Sequence, residues 1–148
     1  MLRCLILLAF AWRIAAHAQD GPCRMVVHGV FEEGARTKQA EISGKRSGVR
    51  IIRRGSFQKE KDHDAGTTVK YKVTWVDPCT FQLTDRRTRH GSPAHPWADG
   101  DTITVHITEV REDGYDYERT SSFGPEQVIG TMKRTVPAAH SGVISLGF

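Results

Sequence analysis

The chain has 148 residues, of which 39% are hydrophobic and 26% are charged, and its 21 basic and 17 acidic side chains give a net charge of +4. This length suits one domain rather than several. The weak positive charge lacks the strength expected of a nucleic-acid-binding domain.

Residues 1–18 have the features of a secretory signal peptide. Arg3 precedes a short apolar run over residues 4–12, and Ala16-His17-Ala18 supplies small residues for cleavage. The run is shorter than the about 20 residues that span a bilayer. A buried N-terminal strand or helix is the alternative interpretation. We predict cleavage after Ala18 and a periplasmic or secreted mature chain, whose net charge falls to about +2 because Arg3 and Arg13 leave with the signal.

Export also bears on the cysteines, since cleavage removes Cys4 and leaves Cys23 and Cys79. An even pair of cysteines in an exported chain predicts a disulfide. A lipid anchor on Cys23 would lack the expected preceding leucine and would leave Cys79 unpaired. A metal or redox pair would lack both the C-x-x-C spacing and histidines at ligand spacing. We therefore predict a Cys23–Cys79 disulfide that stabilises the fold by about 4 kcal/mol.

The first predicted elements after the signal are strands. Alternation from Cys23 to Phe31 predicts a first strand, and residues 32–47 are expected to form a loop or a weak strand. Residues 49–54 and 57–61 follow as two strands, joined by a Gly55-Ser56 turn.

The stretch YKVTWVDPCTFQL, residues 71–83, predicts a hairpin because apolar and polar residues alternate on both sides of Asp77-Pro78. Residues 86–100 show no periodicity and are predicted to form a long loop. A second hairpin turns at Asp113-Gly114, and a last short strand is expected over residues 127–133.

Short strands separated by turn signals predict an all-β fold. We expect a single antiparallel meander, curled into a small barrel or sandwich with one disulfide. The predicted β domain covers residues 19–136, and residues 137–148 are expected to be a flexible tail.

A set of ordered positions between residues 23 and 134 carries a resemblance to a known group. They are Cys23, Gly29-x-Phe31, I-I-R at 51–53, Gln58-x-Glu60, Y-K-V-x-W at 71–75, C-T-F-x-L at 79–83, Gly100-Asp101 and V-x-I at 105–107. The chain resembles a group of small, largely uncharacterised exported β proteins of Gram-negative bacteria. It departs from their pattern at Lys59 and in its tail after Arg134. The resemblance implies fold and export but no agreed activity. Some members carry a topoisomerase IV label, but a chain of this length has no room for such an enzyme's machinery.

Arg53, Gln58 and Glu60 are the candidate ligand-binding residues. Arg53 shares the parity of Val49 and Ile51, so its charge should lie on the apolar face of the sheet. A charge there must be paired or must face water. One interpretation is an Arg53–Glu60 pair that closes one end of a barrel. The other is a polar floor or rim for a small ligand, which a barrel of about eight strands can just hold.

The sequence offers little else for chemistry, and we predict no catalytic residue, no metal site and no cofactor. His90, His95, Asp99 and Asp101 would be the residues of an alternative hydrolase or metal-dependent enzyme that uses the 90–101 loop, but their spacing fits no compact site. The basic cluster within residues 86–90 is expected to be solvated, with contact to phosphate or an acidic glycan as the alternative.

The predicted function is that of an exported binding or structural module rather than an enzyme. Its expected partner is an unknown small ligand or a component of the cell envelope, with no nucleic acid and no stable membrane insertion. A small outer-membrane barrel is the minor alternative, because Ile144, Leu146 and Phe148 alternate toward a terminal aromatic residue.

Overall fold

The computed structural model of the protein describes residues 21–33 and 48–135, and those ranges contain a short 3-10 helix, Pro22–Val26, and eight strands. The strands are β1 His28–Glu33, β2 Val49–Arg54, β3 Phe57–Asp62, β4 Thr67–Asp77, β5 Thr80–His90, β6 Ile103–Arg111, β7 Gly114–Ser121 and β8 Gly124–Arg134. The predicted signal peptide, the predicted tail and most of the predicted 32–47 segment lie outside the described residues. No helix within 21–33 or 48–135 has the length and apolar character of a membrane span.

The eight strands form one closed antiparallel barrel. Each strand pairs with the next in chain order, and β1 pairs with β8 to close the sheet. The prediction of an all-β antiparallel meander is therefore confirmed, and the barrel is the form that it takes. The turn at Gly55 between β2 and β3 is also as predicted, since its φ of 58° is a conformation that glycine adopts without steric cost.

One end of the barrel is sealed by the 3-10 helix. Cys23 and Val26 lie one helical turn apart and are both buried, with 2% and 1% of their surfaces exposed. The predicted disulfide is confirmed: Cys23 is joined to Cys79, in the turn between β4 and β5, with their Cα atoms 5.2 Å apart. The disulfide therefore ties this plug to the rim of the barrel.

The prediction that the first strand starts at Cys23 is wrong. Pro22 stands at the start of a 3-10 helix, where its missing amide hydrogen costs nothing. The chain becomes extended only at His28. The alternation that suggested a strand consequently does not describe burial here, because Met25 is 54% exposed while its neighbour Val26 is buried.

The predicted loop over residues 86–100 is wrong in its first part, because β5 continues to His90. Asp85 has a positive φ of 50°, and the pairing of β4 with β5 shifts register between Lys70 and Lys72. This irregularity inserts one residue into the strand, as a β-bulge does. As a result Arg86 lines the barrel interior, whereas Arg87 is exposed.

Candidate functional site

Arg53 is the central polar group of the sealed half of the barrel, and only 1% of its surface is exposed. Its guanidinium donates three hydrogen bonds: to Gln58 Oε1 at 2.7 Å, to the Val26 carbonyl at 2.9 Å and to the Tyr115 hydroxyl at 2.9 Å. Its Cζ atom also lies 4.2 Å from the centre of the Phe81 ring. The buried charge is thereby stabilised by one acceptor for each of its three nitrogens and by an aromatic face.

Gln58 links this sealed half to Glu60. The Gln58 side chain is 1% exposed, and its Nε2 donates to Glu60 Oε1 at 2.6 Å. β2 and β3 pair so that Arg53 lies opposite Gln58 while Glu60 lies opposite Ile51. The direct Arg53–Glu60 pair that we considered from sequence is therefore replaced by a chain of two hydrogen bonds through Gln58.

Above Glu60 the barrel interior opens into a cavity of about 350 Å³. Its walls come from the ends of β2–β8 farthest from the 3-10 helix and from the β5–β6 connection. The polar or aromatic lining includes Glu60, Tyr71, Arg86, His95, Arg119 and Phe123. The apolar lining includes Val49, Val69, Ile103 and Val128. A smaller cavity of about 20 Å³ lies deeper, against Arg53, Gln58, Glu60 and Arg119, and has room for one water molecule.

Arg119 reaches both cavities from β7, where it follows the buried residues Tyr115 and Tyr117 at the same parity. It is only partly exposed, and its guanidinium makes no hydrogen bond or ion pair with any described residue. Its positive charge still acts electrostatically inside the barrel, where it is one of the causes that lower the pKa of Glu60 and of Tyr117. The guanidinium of Arg119 therefore lines the cavity while its N–H donors have no hydrogen-bond acceptor among the described residues.

The pKa of Glu60 is nevertheless raised above its usual value. The main cause is desolvation inside the barrel, which outweighs the lowering effects of Arg119, of the Gln58 hydrogen bond and of Arg53. Glu60 therefore holds its proton to a higher pH than a solvent-exposed glutamate and, when protonated, can donate a hydrogen bond into the cavity.

The tyrosines around the cavity floor are desolvated as well. Burial is the largest cause that raises the pKa of Tyr71, and it raises the pKa of Tyr117 to about 12. The neighbouring carboxylates Glu60 and Glu33 raise these two values further. Both phenols are consequently neutral at physiological pH.

The connection between β5 and β6 forms one wall of the mouth. The Arg86 guanidinium donates to the His95 carbonyl at 2.6 Å and lies 5.1 Å from the centre of the Trp97 ring. The His95 ring stacks on Phe123 at 4.0 Å, and Trp97 meets Tyr71 edge-on at 5.7 Å. These contacts hold an aromatic wall against the barrel rim.

His95 and Asp101 of this connection contact each other, the Ala98 amide and the β7–β8 turn. His95 Nε2 lies 3.9 Å from Asp101 Oδ2, and that same oxygen accepts a hydrogen bond from the Ala98 amide. The other Asp101 oxygen accepts from the Ser122 hydroxyl at 3.5 Å. Within the described residues, no group of three or more histidine, cysteine or acidic side chains is placed to hold a metal ion.

The structure thus brings the three predicted site residues together but gives them different environments. Arg53 and Gln58 lie in the sealed half, and only Glu60 also lines the larger cavity. Sequence reasoning missed Arg119, although it continues the inward parity of Tyr115 and Tyr117. That parity was the available signal.

Comparison with known proteins gives no relative for this barrel: no family model, no curated protein and no solved structure matches the chain.

Proposed function

We propose that the protein is an exported binding module that holds a small ligand with an anionic group in the cavity at the barrel mouth. The observation that carries this proposal is the guanidinium of Arg119, which lines the cavity and has no hydrogen-bond acceptor in the part of the chain that the structure describes. A volume of about 350 Å³ falls within the usual range for small-molecule sites.

An anionic ligand follows from comparing four charged groups that line the cavity, Asp62, Arg86, Glu60 and Arg119. The cavity lining also includes the carboxylate of Glu126, which is exposed to solvent. Asp62 accepts hydrogen bonds from the backbone amides of residues 64 and 65, and Arg86 binds the His95 carbonyl. Glu60 accepts a hydrogen bond from Gln58. Arg119 alone among these four has no hydrogen-bonding partner among the described residues. A carboxylate or phosphate would supply the missing acceptors in bidentate geometry.

Glu60 and the apolar wall define the rest of the ligand. Protonated Glu60 would donate to the same anionic group, whereas ionised Glu60 would repel it. The side chains of Val69, Ile103 and Val128 would contact an apolar part of the molecule. On the plug side of Glu60, the hydrogen bonds from Arg53 to Gln58 and from Gln58 to Glu60 would hold the Glu60 carboxyl group in place.

Export is supported by the disulfide between Cys23 and Cys79, since such bonds persist in oxidising compartments. A binding role rather than catalysis is proposed because the cavity pairs one anchoring cation with an apolar wall. This is the usual composition of a site that orients a small ligand.

The test uses small aromatic carboxylates, benzoate and phenylacetate, against their uncharged amides. Binding would be followed by the fluorescence of Trp97, which contacts the cavity residues Tyr71 and Phe123. We expect the acids to bind more tightly than the amides. Arg119→Met should weaken acid binding about 10- to 100-fold, the value of hydrogen bonds to a charged group.

The matched control is Arg86→Met, which removes a cation from the same cavity wall. Because Arg86 already has a partner, this variant should retain more of the affinity for the acids. Equal affinity for acids and amides, or unchanged binding in Arg119→Met, would show that the proposal is wrong. Native mass spectrometry of protein from its own source would then identify any retained ligand.

A further inference from the structure

The outer surface of β2–β5 carries a set of cations that the cavity does not use. They alternate with the inward-facing residues of these strands and lie on the outside of the barrel. We define the basic face by six of them: Arg54, Lys59, Lys61, Lys70, Lys72 and Arg87. Lys70 is half-buried and the other five are exposed.

The register places like charges directly opposite one another on this face. Lys59 of β3 lies opposite Lys70 of β4, and Lys70 in turn lies opposite Arg87 of β5. Three cations therefore form a row across three neighbouring strands, which are spaced about 4.8 Å apart. Such pairs are destabilising when nothing neutralises them.

No residue within 21–33 or 48–135 forms an ion pair that would neutralise this row. None of the six residues makes an ion pair with a described residue, whereas the adjacent Arg50 is paired with Glu32 at 3.6 Å. Lys70 has only the ring of Phe57, with its Nζ 4.3 Å from the ring centre. The described part of the chain therefore leaves the repulsion within the row unrelieved, and an anion bound from outside would relieve it.

The shape and composition of the face select among anionic partners. The large exposed hydrophobic residues of the described chain are Met25, Val76, Phe123 and Ile129. Val76 alone among them lies on β2–β5, four residues beyond Lys72 toward the β4–β5 turn, so the Lys59–Lys70–Arg87 row lacks the cluster of apolar groups that inserts into a lipid surface. It also lacks exposed aromatic rings on which nucleic-acid bases stack, because Phe57 is covered by Lys70.

We propose that the basic face binds a linear acidic polysaccharide, whose carboxylates would lie along the Lys59–Lys70–Arg87 row. A flexible chain can follow the convex surface of a barrel and place successive anions against neighbouring strands. The face is on the outside of the barrel and shares none of its six residues with the mouth cavity. The proposal therefore stands or fails independently of the small-ligand site.

The experiment measures binding of the purified protein to polygalacturonate by calorimetry, with uncharged dextran as the control polymer. We expect binding to polygalacturonate alone, weakening as salt rises because counterions compete for the cations. The triple variant Lys59→Gln/Lys70→Gln/Arg87→Gln should bind about tenfold more weakly or worse, from three lost surface charge pairs. Its urea midpoint should be equal to or higher than that of the wild type, because it relieves like-charge repulsion.

The matched control variant is Lys133→Gln, which removes one exposed cation from β8, and it is compared with Lys70→Gln. The β8 variant should bind within about twofold of the wild type, since a distant surface charge contributes little. Unchanged affinity in the triple variant, or equal binding to dextran, overturns the proposal. Tighter binding to vesicles of anionic lipid than to polygalacturonate also overturns it in favour of a membrane surface. Salt-sensitive dimerisation in the absence of polymer would also overturn the proposal, because it would show that the basic face contacts a second copy of the chain.

Discussion

Replacing Arg53 by methionine tests whether the buried cation holds the barrel together. Methionine fills a similar space but donates no hydrogen bond. The substitution therefore leaves three buried acceptors without their donor: the Val26 carbonyl, Gln58 Oε1 and the Tyr115 hydroxyl. The lost bond to the Val26 carbonyl is also a direct contact between the barrel wall and the 3-10 helix.

The expected loss of stability follows from these contacts. A buried polar group that loses its partner costs about 1–3 kcal/mol. Against three such costs stand the removed desolvation of the guanidinium and the added apolar surface of methionine, which offset part of the loss. We expect a net decrease of about 3–5 kcal/mol in the free energy of unfolding, a large part of the typical total of about 5–15 kcal/mol.

The assay is urea unfolding followed by far-ultraviolet circular dichroism, with Arg119→Met as the matched control. Arg119 undergoes the same chemical change in the same barrel but lies partly exposed and without a hydrogen-bonding partner among the described residues. Its substitution should alter stability by less than about 1 kcal/mol. The two variants thus separate folding from binding. Arg53→Met should be unstable, whereas Arg119→Met should be stable and should bind acids about 10- to 100-fold more weakly. Equal stability of Arg53→Met and the wild type would refute the reasoning.

Three further outcomes are expected. Breaking the bond between Cys23 and Cys79, 56 residues apart, by paired alanine substitution should lower the free energy of unfolding by up to about 4 kcal/mol in urea titrations; no change would mean that the plug docks without it. Tyrosinate absorbance should show no native tyrosine ionising near pH 10, because the pKa of every tyrosine in the chain is raised, that of Tyr117 to about 12. The stability that the neutral tyrosines contribute should be lost as pH rises through these folded pKa values. Because the pKa of Glu60 is raised in the folded state, Glu60 contributes stability that is present below pH 4.5 and is lost as pH rises through the folded pKa. Glu60→Gln should therefore flatten this part of the pH dependence of urea unfolding, and its affinity for acid ligands should no longer fall as pH rises.

Strands with clean alternation were predictable from the sequence, and so was the polar strand over residues 57–61, which follows the Gly55-Ser56 turn, but the polar end of β5 was not. Residues 71–83 place apolar side chains on one face and polar ones on the other, so both their structure and their orientation followed from the pattern. Arg86, Arg87 and the residues up to His90 are polar on both faces and follow the irregular Asp85. No periodicity therefore marked them as a strand, and pairing with β4 and closure of the barrel hold them extended.

The helical plug was missed for a related reason. In a strand Cys23 and Met25 would share a face, whereas in a 3-10 helix Cys23 and Val26 do. Over five residues the same apolar positions fit either the two-residue period of a strand or the three-residue period of a 3-10 helix. The proline at the start was the only local signal for a helix, and the disulfide constrained the distance to Cys79 without fixing the conformation.

The candidate site was harder to predict because alternation reports the face of a residue but not its depth along the barrel. On β3 the inward positions are Gln58, Glu60 and Asp62, and on β7 they include Tyr117 and Arg119. In both strands the inward residue nearer the plug is buried and the later ones are only partly so. The antiparallel register aligns these more accessible segments at the end opposite the plug, and the cavity opens there. Arg53 and Arg119 are therefore chemically alike, and only the end of the barrel at which each lies separates a structural cation from a proposed binding one.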